Sequence, residues 1–373
     1  MKSVGIICEY NPFHYGHEYH IRKVKELFPN HKIILVLNGD FTQRGDISLI
    51  NKWKKTEIAL NYVDLVVELP FVFGTQSADV FTFGAIQILK ALKAKAVVFG
   101  SESDDIHKFE EFVDIQNSSE YDLLVKHYLN LGYNYPTSLS KALADISGSE
   151  IKSPNDLLAL GYVRNLKGSG IKAVSIKRTN DYLSLELDNR IVSGTSIRNA
   201  LKEGKDVSNY VPLLSHYFLN NSKFIDDYYD LLKYKIISED ISKYQSVDEG
   251  IESRIKKSVL VSNSYEELVK NIKTKRYTYN KICRMLLHIL AGFTKEEAAR
   301  CKEIKYIRVL GFNKEGQKYL NFIKKNCTIP IITKFEKNNE MLDIESRVSS
   351  IYNLIKCDDN LLEHEHKVIK KDD

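Results

Sequence analysis

"SVGIICEYNPFHYGHEYHIRKVKELF", residues 3–28, decides the fold of this chain. The apolar run 3–9 reads as a buried strand. Residues 16–28 carry helical spacing, which predicts Tyr19, Val24, Leu27 and Phe28 on the inward face. A strand handed straight to a helix is the first unit of a parallel α/β sheet, and the same alternation continues outward. Strands are predicted at 31–39, 64–70, 94–102 and 172–178, with helices at 51–62 and 77–93 and a mainly helical stretch over 104–166. Such alternation predicts an α/β, Rossmann-like doubly wound parallel sheet. Ligands of such sheets lie beyond the carboxyl ends of the strands, near a switch in strand order. The loop after the first strand, Gly39 and Gly100 all fall on that rim.

The chain has 373 residues, 43% apolar and 28% charged, with a formal net charge of +5. A normal core can be buried, and a polyanionic partner is compatible with the charge. Cys8, Cys283, Cys301, Cys327 and Cys357 are scattered without a CxxC pair, which predicts free thiols in a reducing compartment. The first residues lack a signal-peptide pattern and no apolar run is long enough to span a bilayer, so a cytoplasmic protein without membrane association is expected. Beyond residue 205 the texture becomes helical and rich in tyrosine and lysine. This predicts a division into an amino-terminal domain, 1–205, and a mostly helical domain, 206–373. Within the latter, 305–320 reads as a strand, a turn and a helix, and "HEHKVIKKDD" (364–373) as a frayed tail.

The loop of the opening stretch concentrates chemistry. A helix amino terminus offers unpaired N–H groups and partial positive charge, both suited to phosphate. His14 and His17 can donate hydrogen bonds to phosphate oxygens there, and Gly16 lets a ligand approach the backbone. Two other readings compete: the histidines cap the helix and pack, or they hold a metal. No third ligand at a recognised spacing supports the metal. A second element, "SGTSIRNAL" (193–201), enters another helix, with hydroxyls on Ser193, Thr195 and Ser196 and a charged fork on Arg198. Alone it reads as an ordinary cap by Ser193 or Thr195.

"HYGH" (14–17) and "SGTSIR" (193–198) together resemble the signature of the HIGH-motif nucleotidylyltransferase superfamily. Longer blocks narrow the resemblance. "GIICEYNPFHYGHEYHI", "NGDFTQRGDISLINKWKKTEIAL", "DLVVELPFVFGTQSADVFTFGAI", "FGSES" and "SPNDLLALGYV", with "KTKRYTYNKICRMLLHIL" (273–290) and "YIRVLGFNKEGQKYL" (306–320), resemble the tRNA(Met) cytidine acetate ligase family. The resemblance implies an ATP-dependent ligase that makes acetyl-adenylate from acetate and acetylates N4 of the wobble cytidine of elongator tRNA(Met). It implies His14 and His17 as catalytic residues. It assigns to the ATP cradle Ile7, Cys8, Glu9, Tyr10, Asn11, Pro12, Phe13, His14, Tyr15, Gly16, His17, Glu18, Tyr19 and His20, then Gly100, Asn155 and Arg178, and Ser193, Thr195, Ser196 and Arg198. Mg²⁺ is expected on the triphosphate, held mainly by phosphate oxygens and not by a dedicated protein site. The alternative is a small-molecule adenylyl- or cytidylyltransferase of the same superfamily. The basic stretch from residue 273 discriminates against it: Lys273, Lys275, Arg276, Lys281 and Arg284 suit RNA phosphates, and Tyr277 and Tyr279 suit unpaired bases. A solvated helix face is the plain alternative for that stretch. Gln43 and Arg44, in "GDFTQRGD" (39–46), follow the second strand and stay unassigned between acetate, tRNA and an ordinary turn.

Overall fold

A computed structural model describes residues 1–151, 153–178, 191–336, 338–358 and 361–371. The amino-terminal half runs β1 (Ser3–Cys8), α1 (Tyr15–Leu27), β2 (Lys32–Asn38), α2 (Lys52–Ala59), β3 (Leu65–Leu69), α3 (Phe71–Gly74), α4 (Ala78–Ala91) and β4 (Ala96–Ser101). It continues through α5 (Ile106–Gln116), α6 (Ser119–Asn130), α7 (Tyr135–Ser147), α8 (Pro154–Leu166), β5 (Lys172–Lys177) and α9 (Gly194–Lys202). The five predicted strands are all present, each shortened by one to three residues at its ends.

The strands stand in the order β5-β4-β1-β2-β3, all parallel. The central residues of β1 to β4 are sealed from water, as continuous apolar runs demand when helices cover both faces, whereas edge strand β5 is only half-buried. The order reverses at β1, which pairs β2 on one side and β4 on the other. Six residue pairs join β1 to β2, but pairing with β4 stops at Gly5↔Val97. The carboxyl ends of β1 and β4 therefore part, and a crevice opens at the switch point. Helix α4 packs down on β1 so closely that a Cβ on Gly5 would lie 2.5 Å from a Leu89 methyl.

On α1 the inward face is carried by Ile21 and Val24. Leu27, expected to be inside, is 53% exposed in the last turn of the helix, and Tyr19 and Phe28 are half-buried.

The carboxyl half holds α10 (Leu213–Leu219), α11 (Tyr229–Ser238), α12 (Ile251–Leu260), α13 (Tyr265–Ile272), α14 (Tyr279–Ala291), α15 (Lys295–Arg300), β6 (Ile307–Asn313), α16 (Lys314–Ile323), β7 (Ile331–Ile332), α17 (Glu340–Tyr352), α18 (Leu361–His364) and β8 (Ile369–Lys371). It is mostly helical, yet it also completes the sheet. Strand β6 pairs antiparallel with β3, and β7 and β8 pair with β6. No turn separates β6 from α16, since Asn313 ends the strand and caps the helix through Gly316 N–H. The predicted frayed tail is instead ordered through residue 371, with β8 on β6 and Glu365 buried.

Glu365 belongs to a sealed ion cluster that joins the two halves. Lys52 Nζ lies 2.8 Å from Glu68 and 3.0 Å from Glu365, and Arg308 faces the same two carboxylates. All five cysteines are free, and no helix among the described residues is long and apolar enough to cross a membrane.

Candidate active site

The loop between β1 and α1 folds back on itself through its histidines. The His14 side chain is the N-cap of α1: its Nδ1 accepts the Gly16 N–H at 3.0 Å. His17 acts in the reverse direction, its Nδ1 accepting the His14 backbone N–H at 3.3 Å. This is a capping box built from two imidazoles instead of a hydroxyl and a carboxylate. The capping alternative is thus realised, and it prepares the rings for chemistry. A nitrogen that accepts a hydrogen bond carries no proton, so each neutral ring holds its proton on Nε2. Both rings are neutral: burial, then Arg178 and Arg198, lower His14 to about 3, and burial, then His14 and Arg178, hold His17 well below the usual histidine range. The ring centres are 3.9 Å apart and the planes are tilted by 37°, so the two rings lie against each other.

Gly16 is required by this cap. A Cβ there would lie 2.7 Å from His14 Cε1, so the glycine first makes room for the imidazole. Below the rings, Tyr10 and Phe13 are sealed in the core, with Tyr10 4.7 Å from the His17 ring and Phe13 stacked on Tyr62 at 4.8 Å. Asn11 fixes the loop from the other side, accepting Leu49 N–H at 2.9 Å and donating to Ile47 C=O at 3.3 Å. Of the run 7–20, then, Ile7 and Cys8 end β1, Tyr10, Pro12 and Phe13 lie beneath the loop, and Tyr15, Glu18, Tyr19 and His20 lie along half-buried α1.

The second element meets the first. Ser193 caps α9, its Oγ accepting Ser196 N–H at 3.1 Å. Arg198 donates to Asn11 C=O at 2.7 Å and to Thr195 Oγ1 at 3.0 Å. A Cβ on Gly194 would lie 3.2 Å from Asn11 O and 3.8 Å from His14 Nε2, so the imidazole edge faces the start of α9. Two helix amino termini, a pair of neutral donors and a guanidinium held by a carbonyl and a hydroxyl thus converge.

Gly100, Asn155 and Arg178 also come together, around a residue that the sequence did not single out. Glu102 follows β4 and accepts from Asn155 Nδ2 at 2.5 Å and from Ser153 Oγ at 2.6 Å, and Arg178 Nε stands 3.4 Å away. The only signal for it was its place two residues beyond Gly100. Gly100 clears space for the Arg178 stem, since a Cβ would sit 3.3 Å from Arg178 Cγ. The cap of α8 is Ser153, not Asn155.

Beneath the crevice, Lys55 gathers the strand ends. Its Nζ donates to the carbonyls of Glu9 at 3.0 Å, Asn38 at 2.8 Å and Gly39 at 2.6 Å. Burial lowers it to about 8. Glu9 Oε1 accepts Asn38 Nδ2 at 2.8 Å and Gln43 N–H at 2.7 Å, which pins the 40–46 loop to the end of β1.

The basic stretch divides. Lys273, Lys275 and Arg276 are exposed, and Arg276 pairs with Glu249 at 2.8 Å. Lys281 is half-buried over the Tyr277 ring. Tyr277 is buried and its hydroxyl is 3.0 Å from Glu249, so it is no stacking platform, while Tyr279 is 54% exposed. Arg284 lies apart from that face, half-buried with Nη1 3.5 Å from Gln43 O.

Fold and site together define a HIGH-motif nucleotidyl transferase, and the HIGH Nucleotidyl Transferase family matches residues 1–366. The tRNA(Met) cytidine acetate ligase of Fusobacterium nucleatum is 40% identical over 342 residues, covering 87% of this chain and 85% of that one. That of Clostridium kluyveri is 37% identical over 388 residues, covering 95% of each. The crystal structure of Thermotoga maritima TmcAL without ligand superposes with a TM-score of 0.92 at 29% identity, covering 100% of both chains. The structure of the same protein bound with alpha-thio ATP gives 0.89 at 29% identity over 99% of this chain and 100% of that one. The chain belongs to the tRNA(Met) cytidine acetate ligase family.

Proposed function

We propose that the protein activates acetate with ATP and transfers the acetyl group to N4 of the wobble cytidine of elongator tRNA(Met), in the cytoplasm. The observation that carries this reading is the paired imidazole cap, which holds two neutral rings 3.9 Å apart with the His14 edge facing the start of α9. An acetate oxygen attacks the α-phosphorus of ATP and pyrophosphate leaves. Negative charge gathers on the phosphate oxygens as the bonds exchange. Donors already locked in place stabilise that charge without reorganising. His14 and His17 supply them, Arg198 and Arg178 supply fixed positive charge, and the amino termini of α1 and α9 supply backbone N–H groups.

Gly100, Asn155 and Arg178 are assigned to the nucleotide, and the remaining residues of 7–20 to the shape of its cradle. The cradle is rich in N–H donors, and no group of three metal-ligating side chains occurs among the described residues. Mg²⁺ would be held mainly by the phosphate oxygens and water, and would neutralise part of the triphosphate charge. We assign activation to residues 1–205 and RNA binding to 206–373, the latter also lending three strands to the sheet. Lys273, Lys275 and Arg276 are the exposed cations for RNA phosphates, with Lys281 and Arg284 nearer the loop at Gln43.

Incubation with ATP, labelled acetate and total tRNA, followed by nucleoside analysis, tests the reading. Label in N4-acetylcytidine is expected. Folded protein that places no label there overturns it.

A further inference from the structure

Acetyl transfer needs a group that the activation step does not: something must take a proton from the cytidine N4 amine as it attacks. Glu9 stands where such a group belongs. It follows β1 at the parted ends of β1 and β4, directly before the histidine loop. One of its oxygens is fully employed, since Oε1 holds Asn38 Nδ2 at 2.8 Å and Gln43 N–H at 2.7 Å. These two bonds fix the orientation of the carboxylate. The other oxygen, Oε2, accepts no hydrogen bond from the described residues, and Glu9 is only half-buried. A carboxylate held by one oxygen, with the other left open, is a preorganised acceptor. The charged and titratable groups that face it are Arg44, Lys55, Cys8 and Tyr162. Carboxylates are also the side chains that accept from the exocyclic amine of cytosine.

Resting on the acetate ligase reading above, we propose that Glu9 Oε2 accepts the N4–H of the acceptor cytidine and removes its proton during acetyl transfer. The N4 lone pair forms a bond to the acetyl carbon of acetyl-adenylate. The bond from that carbon to the phosphate oxygen breaks, and AMP leaves with the electron pair. The N4 proton passes to Glu9 Oε2. No oxidant, reductant or further reactant is needed. Gln43 is tied both to Glu9 and, through its carbonyl, to Arg284 of α14, so the pinned loop forms the wall between the crevice and the start of α14. An acceptor strand arriving along the basic stretch reaches Glu9 past that wall.

Glu9→Gln is the discriminating variant, because its amide oxygen preserves the acceptor for Asn38 and Gln43 while Oε2 is lost as a base. Two rates are measured: acetate-dependent ATP–pyrophosphate exchange, and single-turnover transfer from enzyme-bound acetyl-adenylate to tRNA across a pH series. Transfer is expected to fall by ~10² or more, the scale of a lost general base, and by at least tenfold more than exchange. The acid limb of the wild-type transfer profile should disappear in Glu9→Gln and persist, at a reduced rate, in Glu9→Asp. Transfer at the wild-type rate in Glu9→Gln, or equal losses in both steps with an unchanged pH profile, overturns the proposal. Wild-type protein that makes no acetylated tRNA would sink the acetate ligase reading itself, which separates the two failures.

Discussion

Two regions of this molecule bury polar groups, and they balance charge in opposite ways. In the cluster behind β3 and β6, Lys52 and Arg308 face Glu68 and Glu365, two cations against two anions. A third carboxyl there, Glu345, is pushed well above the usual range, first by burial and then by Glu68, and so adds no charge. In the crevice at β1 and β4 the cations are held mostly by neutral groups instead of by carboxylates. Arg198 is bonded to a carbonyl and a hydroxyl, Lys55 to three carbonyls, and the two histidines are neutral donors. Of Lys55, Arg178 and Arg198, Arg178 alone lies within ion-pair range of a carboxylate among the described residues, at 3.4 Å from Glu102, while Arg44 beside them faces Glu9. Matched charges hold a fold together across long sequence distances, whereas unmatched donors and cations hold a place for an anion.

Breaking the matched cluster should give the largest effect. Glu68→Ala leaves Lys52 and Arg308 with one carboxylate between them in a sealed site. The expected loss is ~3–5 kcal/mol of unfolding free energy, measured by urea titration. Replacing Lys52 by Met together with Glu68 by Leu should cost much less, because Arg308 keeps Glu365 and no lone charge remains. A double variant as unstable as the single one would show that the cluster is not held by charge balance.

Removing donors from the unmatched site should spare stability and cost rate. His17→Ala is expected to slow acetate-dependent ATP–pyrophosphate exchange by ~10² or more, the scale of a lost preorganised donor. His14→Ala should match it in rate and also lose the helix cap, at ~1 kcal/mol. Wild-type exchange in either variant would remove the imidazoles from the mechanism.

His14 and His20 beside the crevice, and His288 on α14 between Gln245 O and Thr75 O, tie stability to pH. Burial lowers His14 to about 3, and His20 and His288 to about 4, from an ordinary 6.5. Between these values the unfolded chain binds protons that the native chain refuses. Stability is therefore complete above pH 6.5 and falls as pH drops toward 4. Urea midpoints taken between about pH 7 and 5 should decline, and His288→Gln should decline less steeply than the wild type. An unchanged slope would mean that His288 is not held neutral.

How much of this was visible in the sequence follows from the range of the interactions. The meeting of the two loops was legible because its parts are local: a strand, a three-residue spacing of histidines and a serine before a helix each declare themselves within a few residues. Glu102 escaped because its role rests on Ser153, Asn155 and Arg178, more than fifty residues away. The ion cluster escaped for the same reason. Glu365 sits in a lysine- and histidine-rich segment with the composition of a solvated tail, and only the pairing of β8 with β6 turns it inward. Tyr277 was misread in the other direction, since Glu249 and the buried side of the 273–278 segment are distant in sequence and together take it from solvent.

The smallest expected effect lies on the exposed basic stretch, where neither region's logic applies. Lys275 is open to water and Arg276 is exposed and shared with Glu249, so neither is preorganised by burial. Cations of that kind act by releasing counterions from a nucleic acid, a contribution that salt erases. Lys275→Ala with Arg276→Ala should leave stability and pyrophosphate exchange near wild type. It should weaken tRNA binding at low salt and lower the slope of log affinity against log salt by about 0.7 to 0.9 for each phosphate that is no longer neutralised. Arg276→Ala alone should contribute the smaller share, because its charge is already partly answered by Glu249. Measuring tRNA affinity at several salt concentrations decides it. An unchanged slope would make the stretch a solvated face and move RNA recognition to the half-buried cation at Arg284, beside the loop that Glu9 pins.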